Sequence, residues 1–97
     1  MKRNDKKIYI KILDKIVKSM VDFIGSRIAL TATRKAPVKI DLEGNVVDYW
    51  GEGEVVVDIL LKQYEIIMGD ACHPPIKKAI KPIIEKTPVK LPERIAK

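Results

Sequence analysis

The stretch DKKIYIKILDKIVKSMVDFIGSRI, residues 5–28, decides how the rest of the chain must fold. At about 100° per residue, Tyr9, Ile12, Leu13, Ile16, Val17, Met20, Phe23, Ile24 and Ile28 fall within an arc of ~160°. Lys7, Lys11, Asp14, Lys15, Lys18 and Asp22 take the other side. This spacing predicts a long amphipathic helix with Asn4 or Asp5 as its N-cap. Ala36-Pro37 is a firm stop, because proline disfavours helical geometry at the residue before it. A helix from residue 5 to about 34 measures ~45 Å, whereas a chain of this length folds to a radius of gyration near ~12.5 Å. Such a helix either overhangs toward another subunit or breaks at Gly25-Ser26. A strand over residues 27–34 is a third option, since Ile28, Leu30 and Ala32 alternate with polar neighbours. Arg34 and Lys35 suit a helix C-terminus and favour helix over strand in this stretch.

Downstream, Val38, Ile40 and Leu42 alternate with Lys39 and Asp41, and Glu43-Gly44-Asn45 turns the chain into a β-hairpin. A two-residue turn at Glu43-Gly44 sets Lys39 opposite Asp48, whereas a turn at Gly44-Asn45 opposes Asp41 to Asp48. Like charges facing each other are unfavourable, so the first register is expected. Val47 and Tyr49 then face inward, and Val46 and Trp50 outward. From Glu52 to Met68 the apolar residues cover roughly 240° of a helical wheel, the mark of a central helix with neighbours on several sides. Gly69 offers its C-cap. Pro74-Pro75 opens a short helix to Lys86, with Pro82 expected to kink it. Residues 87–97 read as an extended arm whose Val89, Leu91 and Ile95 lie along the body or across a neighbour. The expected architecture is a single α+β domain over residues 1–97: long helix, hairpin, central hydrophobic helix, short Pro-kinked helix and arm.

The composition narrows the class. Of 97 residues, 46% are hydrophobic and 33% charged, which is globular. Ile and Lys occur 15 times each against one Gln and two Asn, a bias expected of a hyperthermophile that an A+T-rich genome would also favour. The α-β-β-α-α order with an extended tail is the ground for expecting an archaeal source. No run of apolar residues is long enough to span a membrane. The charged N-terminus lacks a signal peptide's apolar region, and a single cysteine suits a reducing compartment, so a cytoplasmic protein is expected. Charge is segregated. Residues 1–39 carry 11 basic and 3 acidic groups, net +8; residues 40–58 carry 6 acidic groups and no base, net −6; residues 59–97 carry 8 basic and 4 acidic groups, net +4. These sum to a basic protein of net charge +6, whose acidic middle can meet the basic ends of another copy.

Chemistry-bearing residues are sparse. Asp70, Cys72 and His73 include a thiol and an imidazole, able to serve as nucleophile and base or as two metal ligands. No second His or Cys completes a site within one chain, and a buried thiol beside a surface imidazole is the expectation. Arg27, Thr31, Arg34 and Lys35 form a candidate anion site, since guanidinium groups grip phosphate or carboxylate as a fork. Lys7, Lys11, Lys15 and Lys18 share an ~80° stripe on the first helix, and Lys77, Lys78 and Lys81 form a second basic face. Both are candidate nucleic-acid contacts, although no recognised nucleic-acid-binding motif accompanies them. Val46 and Trp50 are a candidate interface, tryptophan being enriched where proteins meet. Phosphate-cradling loops, the zinc-protease helix and the nucleophile elbow are missing from the sequence, so neither catalysis nor a cofactor is expected. The leading expectation is a non-catalytic interaction or regulatory module that self-associates, as a homodimer or larger. A nucleic-acid-associated protein and a binder of small anions between subunits are the alternatives.

Overall fold

The computed structural model describes residues 5–96, apart from the side chain of Ala96. It is an α+β fold of five helices, α1 (Asp5–Ile24), α2 (Ser26–Thr33), α3 (Gly53–Met68), α4 (His73–Lys86) and α5 (Glu93–Ala96), with one hairpin of strands β1 (Val38–Ile40) and β2 (Val46–Tyr49). A short 3-10 turn, Gly69–Cys72, joins α3 to α4. The Cα radius of gyration is 12.2 Å, with extents of 40 × 30 × 20 Å.

The first helix does not continue to residue 34. It breaks at Gly25, whose φ of 92° lies where a side chain is strained. At ~1.5 Å per residue α1 is then about 30 Å long, which matches the body. The break turns α2 back against α1 and onto α3. It also removes the overhang as a reason for association. The Asn4 alternative for the N-cap lies outside the described residues; Asp5 is the first residue of α1.

Tyr9, Ile12, Leu13, Ile16, Val17 and Met20 are buried on α1, as the 3.6-residue spacing predicts. They meet Val56, Val57, Leu60, Leu61 and Tyr64 of α3 and Ile76 and Ile80 of α4 in one continuous core. Phe23 and Ile28, expected on that face, are instead 55% and 49% exposed, because the Gly25 break ends the face. At the centre, the fully buried Thr33 donates its hydroxyl to the Ala29 carbonyl at 2.7 Å. Its oxygen accepts from the Tyr64 hydroxyl at 2.6 Å. Tyr64 is thus a buried polar group with its partner supplied.

In the hairpin, Lys39 does face Asp48, but the turn is not the expected two-residue one. The Asp41 N–H donates to the Asn45 carbonyl and the Gly44 N–H to the Asp41 carbonyl. This is a three-residue loop with Gly44 at positive φ. The Asp41 carboxylate locks it, accepting from the backbone N–H groups of Glu43 and Asn45. Ile40 therefore pairs with Val46, and a β-bulge restores the Lys39–Asp48 register. The extra residue exchanges Val46 for Val47 at the core: Val46 is buried and Val47 points out, while Tyr49 is buried as expected. Val46 accordingly belongs to the core and not to the candidate interface.

The hairpin lies on α1 and is pinned there from both ends. Asp14 accepts the Val46 N–H at 2.9 Å, and Lys18 bridges Asp14 and the Asn45 side-chain oxygen. At the far end Lys6 reaches Asp48 at 3.0 Å and covers the Tyr49 ring. The C-terminal segment packs along the body, with Pro92 and Ile95 buried and the Tyr9 hydroxyl donating to the Lys90 carbonyl at 2.8 Å. It is not extended to its end, since Glu93–Ala96 forms a helical turn.

Candidate functional site

Two arrangements collect the residues able to act. The first is a groove of about 310 Å³ between α2 and α3, lined by Arg27, Ile28, Thr31, Ala32 and Lys35 on one side and Gln63, Ile66 and Ile67 on the other. Three large apolar side chains stand open there: Ile66 is 79% exposed, Ile67 48% and Ile28 49%. The floor is apolar because the wide apolar arc of α3 runs on to its last turn, where Ile66 and Ile67 are left exposed. The rim is cationic because exposed Arg27 of α2 and exposed Lys35, two residues past its end, both border the groove. The geometry brings Arg27, Thr31 and Lys35 together, but Arg34 is exposed and does not line the groove. Thr31 spends its hydroxyl proton on the Arg27 carbonyl at 2.7 Å.

The second is a polar cluster where α3, the 3-10 turn, α4 and α5 converge. Glu65 ends its carboxylate between two partners: His73 Nε2 lies 2.6 Å from Oε2, and Arg94 donates to Oε1 at 2.5 Å. Arg94 also reaches Asp58 at 3.3 Å. Cys72, the neighbour of His73, is fully buried, and its thiol makes a long contact of 3.4 Å to the Gly69 carbonyl. Burial pushes this thiol up to about 11, and the nearby Glu65 carboxylate adds to the effect. A thiol so held is protonated at neutral pH and no nucleophile. Glu65, Cys72 and His73 bring one ligand atom each to within 4.8 Å of one another. Exposed Asp70 stays outside the cluster. The residues that sequence reading misses are Glu65 and Arg94. Glu65 precedes His73 by eight positions across a chain reversal, and Arg94 arrives from the far end of the chain. The only local sign is that Glu65 interrupts the apolar run Tyr64–Met68.

The lysines disperse. Lys15 and Lys18 meet Lys78 of α4 in a shallow groove that Phe23 and Asp22 also line. Lys18 is already engaged by Asp14 and Asn45. Lys7 is exposed on α1, while Lys11 borders a separate groove with Lys86. Lys77 faces Glu54, Asp58 and Glu93 across another groove, and Lys81 lies 4.0 Å from Glu85. Trp50, beyond the end of β2, is 56% exposed. Among the described residues no helix is long and apolar enough to cross a membrane. No protein-family model, curated protein or solved structure matches this chain.

Proposed function

We propose that this protein is a non-catalytic interaction module that self-associates, its α2–α3 groove receiving the acidic segment around Trp50 of a second copy. The observation that carries this reading is the uncovered apolar floor of Ile28, Ile66 and Ile67 beneath a rim of Arg27 and Lys35. Contiguous open apolar surface with a charged rim is the mark of a contact site. The occupant is argued from charge. Residues 40–58 hold six acidic groups and no base, and among them Val47, Trp50 and Val55 are exposed. Groove against groove would set cations against cations. Groove against acidic segment, given and received by each copy, satisfies both partners of a two-fold dimer.

Light scattering at micromolar concentration tests this. A dimer mass is expected at low salt, with dissociation promoted by added salt, since the rim contacts are screened. Arg27→Glu with Lys35→Glu abolishes the dimer, and adding Glu52→Lys with Glu54→Lys restores it. A monomer across all concentrations overturns the reading.

The meeting of Lys15 and Lys78 beside the half-exposed Phe23 favours a second reading, in which this groove holds nucleic acid through phosphate contacts and aromatic stacking. Titration with labelled oligonucleotides at two salt concentrations separates the two, because several phosphate contacts make binding steeply salt-dependent. The third reading, a small anion between subunits, keeps Arg27 and Lys35 but requires an anion-dependent rise in melting temperature that Arg27→Ala with Lys35→Ala removes.

A further inference from the structure

We propose that Glu65, Cys72 and His73 form a binding site for a divalent ion of the zinc type, with Arg94 positioning the carboxylate. The inference is independent of self-association. Its first support is geometric: a thiolate, an imidazole and a carboxylate come within 4.8 Å of one another. Zinc–ligand bonds of about 2.0–2.3 Å in a tetrahedron require ligand atoms roughly 3.4–3.6 Å apart. The 2.6 Å between His73 Nε2 and Glu65 Oε2 must lengthen and the longest separation must shorten, each by about 1 Å, which side-chain rotation supplies.

The donor set gives the ligand's class. Sulfur with nitrogen and one carboxylate oxygen selects zinc or cobalt over magnesium and calcium, which take oxygen cages. Charge gives a second argument. A doubly charged cation is neutralised by the Cys72 thiolate and the Glu65 carboxylate, while Arg94 is matched by Asp58 at 3.3 Å. The ion and its two anionic ligands are thus neutral together, which a partly buried location demands, while Asp58 is shared between Arg94 and Lys62. Arg94 holds Glu65 through Oε1 and leaves Oε2 turned toward His73. This is the outer-shell support that ligating carboxylates receive in metal sites. The side chains of Glu65 and His73 keep 22% and 17% of their surface open, enough for an ion to enter and for water to complete the coordination. On binding, the thiol proton of Cys72 leaves to solvent, and the proton on Nε2 of the neutral His73 ring moves to Nδ1, which frees Nε2 for the ion.

Cobalt(II) titration of the full chain under reducing conditions tests the site. The expected result is a thiolate-to-cobalt charge-transfer band with intense visible bands of four-coordinate cobalt, all abolished by stoichiometric zinc. Cys72→Ser removes the charge-transfer band, and His73→Gln and Glu65→Gln weaken binding. Arg94→Gln, which touches no metal, keeps the spectrum but lowers affinity by about 10–100-fold. Circular dichroism of each apo variant separates loss of a ligand from loss of the fold, and the unaltered chain decides the matter without any variant. Absence of the charge-transfer band in excess cobalt, or its persistence in Cys72→Ser, overturns the proposal.

Discussion

Along α3, Val56, Val57, Leu60, Leu61 and Tyr64 are fully buried, while one turn later Ile66 and Ile67 stand 79% and 48% exposed. The two stretches are alike in hydropathy and differ in what lies over them. α1 and α2 pack on the first. The second is bordered only by the outer edge of α2, from Arg27 to Lys35. Apolar content alone therefore does not separate a core from an interface. The presence of a covering element does, and the open end of α3 is where the proposed second copy would sit.

Substitutions along α3 can break that comparison. Leu60→Ala, at the fully buried end, is expected to cost about 2–5 kcal/mol in denaturant unfolding through the cavity it leaves. A loss of no more than about 0.5 kcal/mol, as at surface sites, would equate it with the open end. Gly53→Ala, in the first turn of α3, places a methyl group into the ring of Tyr9. Overpacking of this kind costs about 1–3 kcal/mol, so the melting temperature falls although a better helix former has been introduced. Tyr64→Phe leaves the Thr33 oxygen without its donor and costs roughly 1–2 kcal/mol.

Alkaline titration sharpens the same point. Burial raises the phenol of Tyr64 well above the usual tyrosine range, and burial is also the first cause of the raised phenols of Tyr9 and Tyr49. The folded chain thus keeps protons that the unfolded chain releases from about pH 10 upward. Stability contributed by these groups is complete below that pH and is lost as pH rises toward the folded values. Phenolate absorbance is accordingly expected to appear together with unfolding, and the alkaline loss should be shallower in Tyr64→Phe. Phenolate formation in a chain that stays folded would contradict the burial argument. The smallest effect is at the open end of α3, where Ile66→Ala with Ile67→Ala should change monomer stability by no more than about 0.5 kcal/mol per site.

Much of this was readable before any coordinates. Helical spacing places the core of α1 through Met20, and alternation with charge pairing sets Lys39 opposite Asp48. What escaped the reading was decided by single residues. Gly25 ends α1 because one backbone angle of 92° outweighs the helix-compatible residues that follow. Asp41 recruits two backbone N–H groups and holds a three-residue loop; the bulge that follows exchanges Val46 for Val47 at the core. Both are local choices among nearly equal conformations, and apolar pattern does not distinguish them. The polar cluster was half legible: Cys72 and His73 stand adjacent, but Glu65 and Arg94 join them only through a chain reversal and the docking of the C-terminal segment.

The most direct test of the self-association account is the molar mass of Ile66→Glu with Ile67→Glu, measured by light scattering beside the unaltered chain over a range of concentrations. The account predicts a dimer for the unaltered chain and a folded monomer of 11.0 kDa for the variant, with the helical circular dichroism of both the same. A dimer that survives both substitutions, or an unaltered chain that is already monomeric, would contradict it.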